Sequence, residues 1–167
     1  SGTDDLSAWL PGLSAFWANK SEGKVHFGVG LTSFMGLAAD YGDTWQGAQY
    51  VQNVSLYTFD LVPAVSFELS DKWSLGIGLD ILLGKFEQQL GLGPNGSVGQ
   101  LTLESTTVGL GGNFGLLWKV CDKSNLGLKL RSPIEMNFED TPEVTGIPAS
   151  PPSLEIEMEV PLEITLG

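Results

Sequence analysis

Residues 73–84 alternate with a period of two. Trp73, Leu75, Ile77, Leu79, Ile81 and Leu83 are large and apolar, whereas Ser74, Gly76, Gly78, Asp80, Leu82 and Gly84 between them are mostly small or polar. That period belongs to a strand whose two faces meet different surroundings. Val25, Phe27, Val29 and Leu31 alternate in the same way with His26, Gly28, Gly30 and Thr32. Val108, Leu110, Phe114, Leu116 and Trp118 stand against Thr107, Gly109, Gly111, Asn113 and Gly115. At the C-terminus Leu154, Ile156, Met158, Val160, Leu162, Ile164 and Leu166 form one face, and Glu155, Glu157, Glu159 and Glu163 fall on the other.

Further strands are expected over roughly 11–18, 50–69 and 125–138, with turn signals at Ser70-Asp71-Lys72, from Gly91 to Gly96 and from Cys121 to Asn125. No segment has a helical period. The pattern predicts an all-β chain of about six or seven antiparallel strands in up-and-down order, a single barrel domain or barrel segment over 1–167. Tight turns alternate with long loops at about 36–54, 88–104 and 139–152, the asymmetry of outer-membrane barrels.

Glycine bears on which face meets which solvent. The chain has 22 glycines, yet 42% of its residues are hydrophobic, so the glycines do not belong to a disordered linker. Gly76, Gly78, Gly109, Gly111, Gly115 and Gly127 occupy the face opposite the large residues. Glycine weakens a strand exposed to water. An inward face of glycine and polar residues around a lumen, with Leu, Ile, Val, Phe and Trp turned to lipid, accounts for both faces of a transmembrane barrel. A soluble or periplasmic lipid-binding barrel gives the same alternation with the faces exchanged. Trp73 and Trp118 fall near strand ends, where an aromatic girdle belongs. The absence of a long apolar run excludes a transmembrane helix and leaves a membrane barrel open.

Eight Lys and Arg against 20 Asp and Glu give a formal charge of −12, which excludes nucleic acid as a partner. Cys121 and His26 are each the sole residue of their kind, so no disulfide, cysteine-rich metal site or other cofactor is expected. No basic start followed by an apolar stretch is visible at the N-terminus, and an exported protein would have had such a signal removed. The C-terminal glutamates repeat at about 6.6–6.8 Å along one strand, so they do not converge on a metal or face each other across a glycosidic bond. "GLGPNG", residues 91–96, is a turn, because no helix follows it. Parity places Lys119, Lys129 and Arg131 on the inward side with the glutamates. Two readings stay open there: ion pairs inside the lumen, or a cation that meets a ligand carboxylate.

Four stretches, "GLTSFMGLAADYGDTWQG" (30–47), "LVPAVSFELSDKWSLGIGLDILLGKFEQQLG" (61–91), "LKLRSPIEMNFED" (128–140) and "LEIEMEVPLEITLG" (154–167), resemble the FadL-type outer-membrane transporters of long-chain fatty acids and other hydrophobic compounds. The resemblance implies a barrel in the outer membrane of a Gram-negative bacterium, in contact with outer-membrane lipid. It implies passive transport of a hydrophobic small molecule or fatty acid, without catalysis. The ligand would be captured between the loops at 36–54 and 88–104, pass to an interior site and leave sideways through the wall. Leu37, Tyr41, Trp45, Tyr50, Leu90 and Leu92 would be the apolar contacts, with Arg131 and Lys129 the candidates for a carboxylate. The family has an N-terminal plug and about fourteen strands, whereas this sequence lacks the plug and has roughly half the strands. A half barrel has two open edges, so the chain reads as a barrel segment, as a subunit that closes by self-association, or as a structural half barrel without transport.

Overall fold

The computed structural model describes residues 12–19, 23–42, 47–93, 98–148 and 151–167. Ten strands appear among them: β1 (Ser14–Ala18), β2 (Val25–Asp40), β3 (Asn53–Ser70), β4 (Trp73–Leu92), β5 (Gly99–Cys121), β6 (Ser124–Arg131), β7 (Ile134–Asp140), β8 (Glu143–Thr145), β9 (Leu154–Val160) and β10 (Glu163–Leu166). The wall is one antiparallel sheet in the order β1-β2-β3-β4-β5-β6-β10, with β8 alongside β5; β7 and β9 form a separate two-stranded ribbon. The expected up-and-down meander is therefore present as an open, partial barrel.

The two faces of the wall follow the alternation. Ile77, Leu79 and Leu83 of β4 and Val108 and Leu110 of β5 stand exposed on the outside, Leu110 at 64%. Gly78, Asp80, Leu82 and Gly84 are buried on the inside. The outer apolar band begins at the stacked rings of Trp73 and Trp118, 5.3 Å apart and 3° from parallel, beside the tight turns. It ends above Leu83, where Lys85 faces outward and pairs with Glu87 at 2.6 Å and Glu104 at 2.9 Å. Trp73 to Leu83 spans about 34 Å of strand, or about 24 Å along the membrane normal at a 45° tilt, which matches the ~25 Å apolar band of an outer-membrane barrel. The soluble alternative, with the large residues inside, does not describe this chain.

Strands run further than the alternation marks them. β2 continues to Asp40, β3 starts at Asn53, β4 runs to Leu92 and β5 resumes at Gly99, so much of the ranges 36–54 and 88–104 is ladder. The ladder joins Asn53 to Gln89 and Leu92 to Gly99. Above the lipid band, outward residues become polar, which removes the apolar period while the hydrogen bonds continue. Within 139–152, β8 pairs Gln100 to Thr145 and Thr102 to Glu143.

The segments 125–138 and 154–166, expected as unbroken strands, each bend once. β6 gives way to β7 at Ser132-Pro133 and β9 to β10 at Pro161-Leu162. The pairs Arg131 with Glu163 and Ile134 with Val160 share one register, which sets Pro133 directly opposite Pro161. Neither proline has an N–H, so the ribbon lacks donors at that level. Above the bend, β7 and β9 lie inside the wall. Ile134, Met136, Phe138 and Val160 pack on Leu56 and Leu82, with Phe34, Met35, Phe86, Ile156 and Met158 around them. The apolar face of 154–166 therefore does not meet lipid along its whole length: Ile164 and Leu166 are exposed, whereas Val160 is buried.

Glycine makes the room for this second layer. A Cβ on Gly109 would stand 2.5 Å from Ile134 Cγ2 and 2.9 Å from the Glu135 carbonyl oxygen, and one on Gly111 would stand 2.5 Å from Ile134 Cγ1. These are impossible contacts, so the ribbon sits where two inward glycines of β5 leave the wall bare.

Candidate functional site

Below the ribbon the inner face of the wall forms a continuous groove. A hollow of about 690 Å³ is lined by Trp17, Phe34, Val62, Asn113, Lys129 and Arg131, among others. It continues toward the tight turns through a second hollow of about 430 Å³ and a third of about 600 Å³, and Lys129 lines all three. Gly28, Gly30, Gly76 and Gly115 keep this floor low. The result is a long, mostly apolar trough with a few polar groups, the composition of a small-molecule site.

Arg131 closes the upper end of the trough. It is 2% exposed and its Nη2 binds Asp60 Oδ2, with Asp80 Oδ1 at 3.2 Å. Asn113 Nδ2 donates to Asp80 Oδ2 at 2.8 Å, and the guanidinium lies 4.2 Å from the centre of the Phe34 ring. A bulge in β2 puts that ring in place. The register jumps between Ser33 and Gly36, leaving Phe34 and Met35 opposite Thr58, whose Oγ1 accepts from the Met35 N–H at 2.7 Å and donates to the Met35 oxygen at 3.1 Å. Gly78 makes room for Asn113: a Cβ there would come within 2.6 Å of Asn113 Oδ1. Intramembrane charges find protein partners, and for Arg131 the ion-pair reading holds.

Lys129 is different. It is half exposed, and its Nζ stands 3.9 Å from Glu163 Oε1, the outer limit of an ion pair. It is the freer cation over the groove. His26 Nε2, at the turn end, lies 3.2 Å from Glu68 Oε1. Glu155, Glu157 and Glu159 sit exposed on the ribbon's other face, so among the described residues only Glu163 of the glutamate row meets a lumen cation.

The six loop candidates divide into two groups. Leu37 pairs with Leu56, Leu90 with Leu101 and Leu92 with Gly99, so these three are strand residues facing the lumen side rather than loop residues. Tyr41 follows β2, and Tyr50 lies exposed in the turn at 47–50. That turn is tied to the end of β4, since the Gly91 N–H donates to the Ala48 oxygen and the Gln52 N–H to the Gln89 oxygen, each at 2.8 Å. The Tyr41 N–H in turn donates to the Gln52 oxygen at 2.8 Å, and Gln100 Nε2 donates to Gln52 Oε1 at 3.2 Å. The structure thus gathers the rim residues at one end of the wall. Trp45 lies outside the described residues.

Parity alone did not single out Asp60, Asp80, Phe34 and Asn113 as Arg131's surroundings. The available signal was two aspartates on the inward side of strands whose other face is apolar.

Comparison with known proteins agrees with this architecture. Residues 2–165 match the family described as outer membrane protein transport protein (OMPP1/FadL/TodX). A long-chain fatty acid transport protein of Escherichia coli is 28% identical over 156 residues, covering 80% of this chain and 34% of that protein. One from Salmonella typhi is 24% identical over 152 residues, with the same coverage. The chain thus spans about a third of the length of these relatives. Among solved structures, a Pseudomonas aeruginosa FadL homologue superposes with a TM-score of 0.77 at 17% identity, covering 92% of this chain and 43% of that one. The Ralstonia pickettii toluene transporter TbuX superposes with a TM-score of 0.72 at 14% identity, covering 92% and 49%. These relatives are transporters, not enzymes. The chain belongs to the FadL/TodX family of outer-membrane transport proteins.

Proposed function

We propose that this protein moves hydrophobic small molecules passively across the outer membrane, along the groove on the inner face of its wall. The observation that carries the reading is the trough itself: apolar walls and a glycine floor, with Lys129 half exposed along its length. The names of its relatives, fatty acid transport proteins and a toluene transporter, fit that chemistry. Capture is assigned to the rim, where Leu37, Tyr41, Tyr50, Leu90 and Leu92 present apolar surface at the loop end. Lys129 is assigned the carboxylate of an acidic ligand, and Arg131 a structural role, because its own carboxylates already hold it.

The test is uptake into vesicles carrying the protein, with a long-chain fatty acid and toluene as the two probes. Lys129→Ala is expected to slow the fatty acid and leave toluene unchanged, whereas Tyr50→Ala slows both. Equal loss of both probes with Lys129→Ala would remove the carboxylate assignment. Uptake no faster than in protein-free vesicles would reject transport.

A further inference from the structure

The outer face of the wall carries a groove at the turn end of the apolar band. It holds about 460 Å³ and is lined by Trp73, Leu116, Trp118, Leu126, Leu128 and Leu166, among others. The register puts all six on one face: Trp73 stands opposite Trp118, Trp118 opposite Leu126, Leu116 opposite Leu128 and Leu128 opposite Leu166. It is the face of the exposed Ile77 and Leu79, so the groove opens to the membrane and not to the lumen.

Polar groups gather where the groove meets the turns. The Lys119 N–H donates to the Lys72 oxygen at 2.8 Å, which holds the turns at 70–72 and 121–124 side by side. Lys72, Lys119 and Lys123 against Asp71 and Asp122 leave one positive charge in excess at that level. Lys119 is taken by Asp122 at 3.2 Å. Among the described residues Lys72 and Lys123 make no ion pair, and neither indole N–H of the Trp73–Trp118 stack makes a hydrogen bond. An indole at a membrane interface keeps its ring in the apolar layer and gives its N–H to a polar group at headgroup depth. The other end of the band has the opposite sign, since the outward Lys85 is shared by Glu87 and Glu104.

We propose that this groove seats an anionic phospholipid of the periplasmic leaflet, the side on which the short turns of an outer-membrane barrel lie. One acyl chain runs along the leucines, and the phosphate takes the two indole N–H groups and the ammonium groups of Lys72 and Lys123. Charge selects the class of lipid. A headgroup such as phosphatidylglycerol neutralises the positive excess at the turns, whereas the ammonium of phosphatidylethanolamine adds to it. Bonds from an ammonium group to phosphate are charge-assisted and short, and each lysine at a lipid surface favours an anionic lipid by about fivefold. The site lies on the outside of the wall, so it holds whether or not a ligand passes along the inside.

Protein reconstituted in vesicles of equal phosphatidylglycerol and phosphatidylethanolamine, extracted in mild detergent and weighed by native mass spectrometry, reports the lipid it keeps. One lipid per chain is expected. From two lysines the retained phosphatidylglycerol should exceed phosphatidylethanolamine by about 25-fold, falling to about fivefold in Lys72→Gln and to parity when Lys123→Gln is added. Both positions are exposed turn residues, so these variants keep the fold. Trp118→Leu is expected to lower retention of both lipids and leave their ratio, and Lys85→Gln to change neither. Equal retention of the two lipids by the unmodified protein overturns the anionic site. So does a ratio that falls as far with Lys85→Gln as with Lys72→Gln, which would put the lipid elsewhere. Unchanged retention in Trp118→Leu overturns the groove as the seat. A lipid-free species overturns the proposal as well, whether a monomer or a dimer in which a second copy covers the groove.

Discussion

Replacing Arg131 by Met exposes how the groove is held together. Arg131 sits on β6, and its two carboxylates lie two and three strands away, on β4 and β3, so the side chain bridges the curvature of the sheet. All three groups are nearly sealed, with 2% of the Arg131 side chain, 6% of Asp60 and 4% of Asp80 exposed. Removing one partner of a buried pair costs about 3–5 kcal/mol, because the remaining charge stays buried without its counterion. Here two carboxylates are left facing each other, with Asn113 the neutral donor to one of them. Loss of about 3–5 kcal/mol, or roughly 10²–10⁴-fold in the folded-to-unfolded ratio, is expected. Asp60→Asn should behave differently. Two aspartates against one arginine leave one negative charge in excess, and Asp60 Oδ1 has no hydrogen-bond partner to lose. That variant is expected within about 1 kcal/mol of the parent. Urea unfolding and refolding in detergent micelles, followed by tryptophan fluorescence, reads both midpoints. A shift for Arg131→Met no larger than the ~0.5 kcal/mol of an exposed substitution would refute a sealed network. Asp60→Asn as damaging as Arg131→Met would refute the charge count.

Two further outcomes test the placement in the membrane. The exposed Cys121 lies at the tight-turn end, where the backbone of Lys123 and then the hydroxyl of Ser124 hydrogen-bond its sulfur and lower the thiol pKa. A membrane-impermeant maleimide is expected to label it only after the outer membrane is permeabilised, and at lower pH than an ordinary thiol; labelling of intact cells would invert the topology. Trp118→Ala removes the stack on Trp73, worth about 0.5–1.5 kcal/mol beyond the area it buries, and should cut quenching by lipids brominated near the headgroup more than by those brominated at the chain ends. Equal loss from both lipids would move the girdle away from the interface.

Much of this fold was legible because one face of each strand meets a single medium. Residues 73–83 and 108–118 name their outward side without help from tertiary structure, and the glycines opposite them point to a lumen. The reading stops where the medium changes. Above Lys85 and Glu104 the outward residues turn polar, so strands that continue to Leu92 and begin at Gly99 look like loops. The ribbon escaped for the opposite reason: Ile134, Met136 and Phe138 carry the same period whether they face lipid or a bare wall. The hint lay elsewhere, in Pro133 and Pro161 and in the small residues at 84, 109 and 111. Arg131 and Lys129 share a parity, yet one is sealed and the other half exposed. That difference depends on which aspartates the curved sheet brings over from β3 and β4, and nearest-neighbour pairing between strands does not reach that far.

Strand direction also limits how the open edges are closed. The wall among the described residues has seven strands, every junction is antiparallel, and its edges are β1 and β10. With an odd number of strands the two edges run the same way. A second copy turned about the barrel axis would set β10 of one beside β1 of the other in parallel, at both junctions. A copy turned about an axis in the membrane plane would restore antiparallel pairing but send its loops to the wrong side of the membrane. An all-antiparallel barrel therefore needs an odd number of additional strands, each edge meeting one that runs opposite to it. Self-association of this chain alone is expected to give no closed barrel. Light scattering in detergent, corrected for bound lipid and detergent, measures this directly. A stable species of twice the chain mass, whose β1 and β10 amides resist hydrogen exchange, would show that parallel junctions close the wall and would defeat the parity argument.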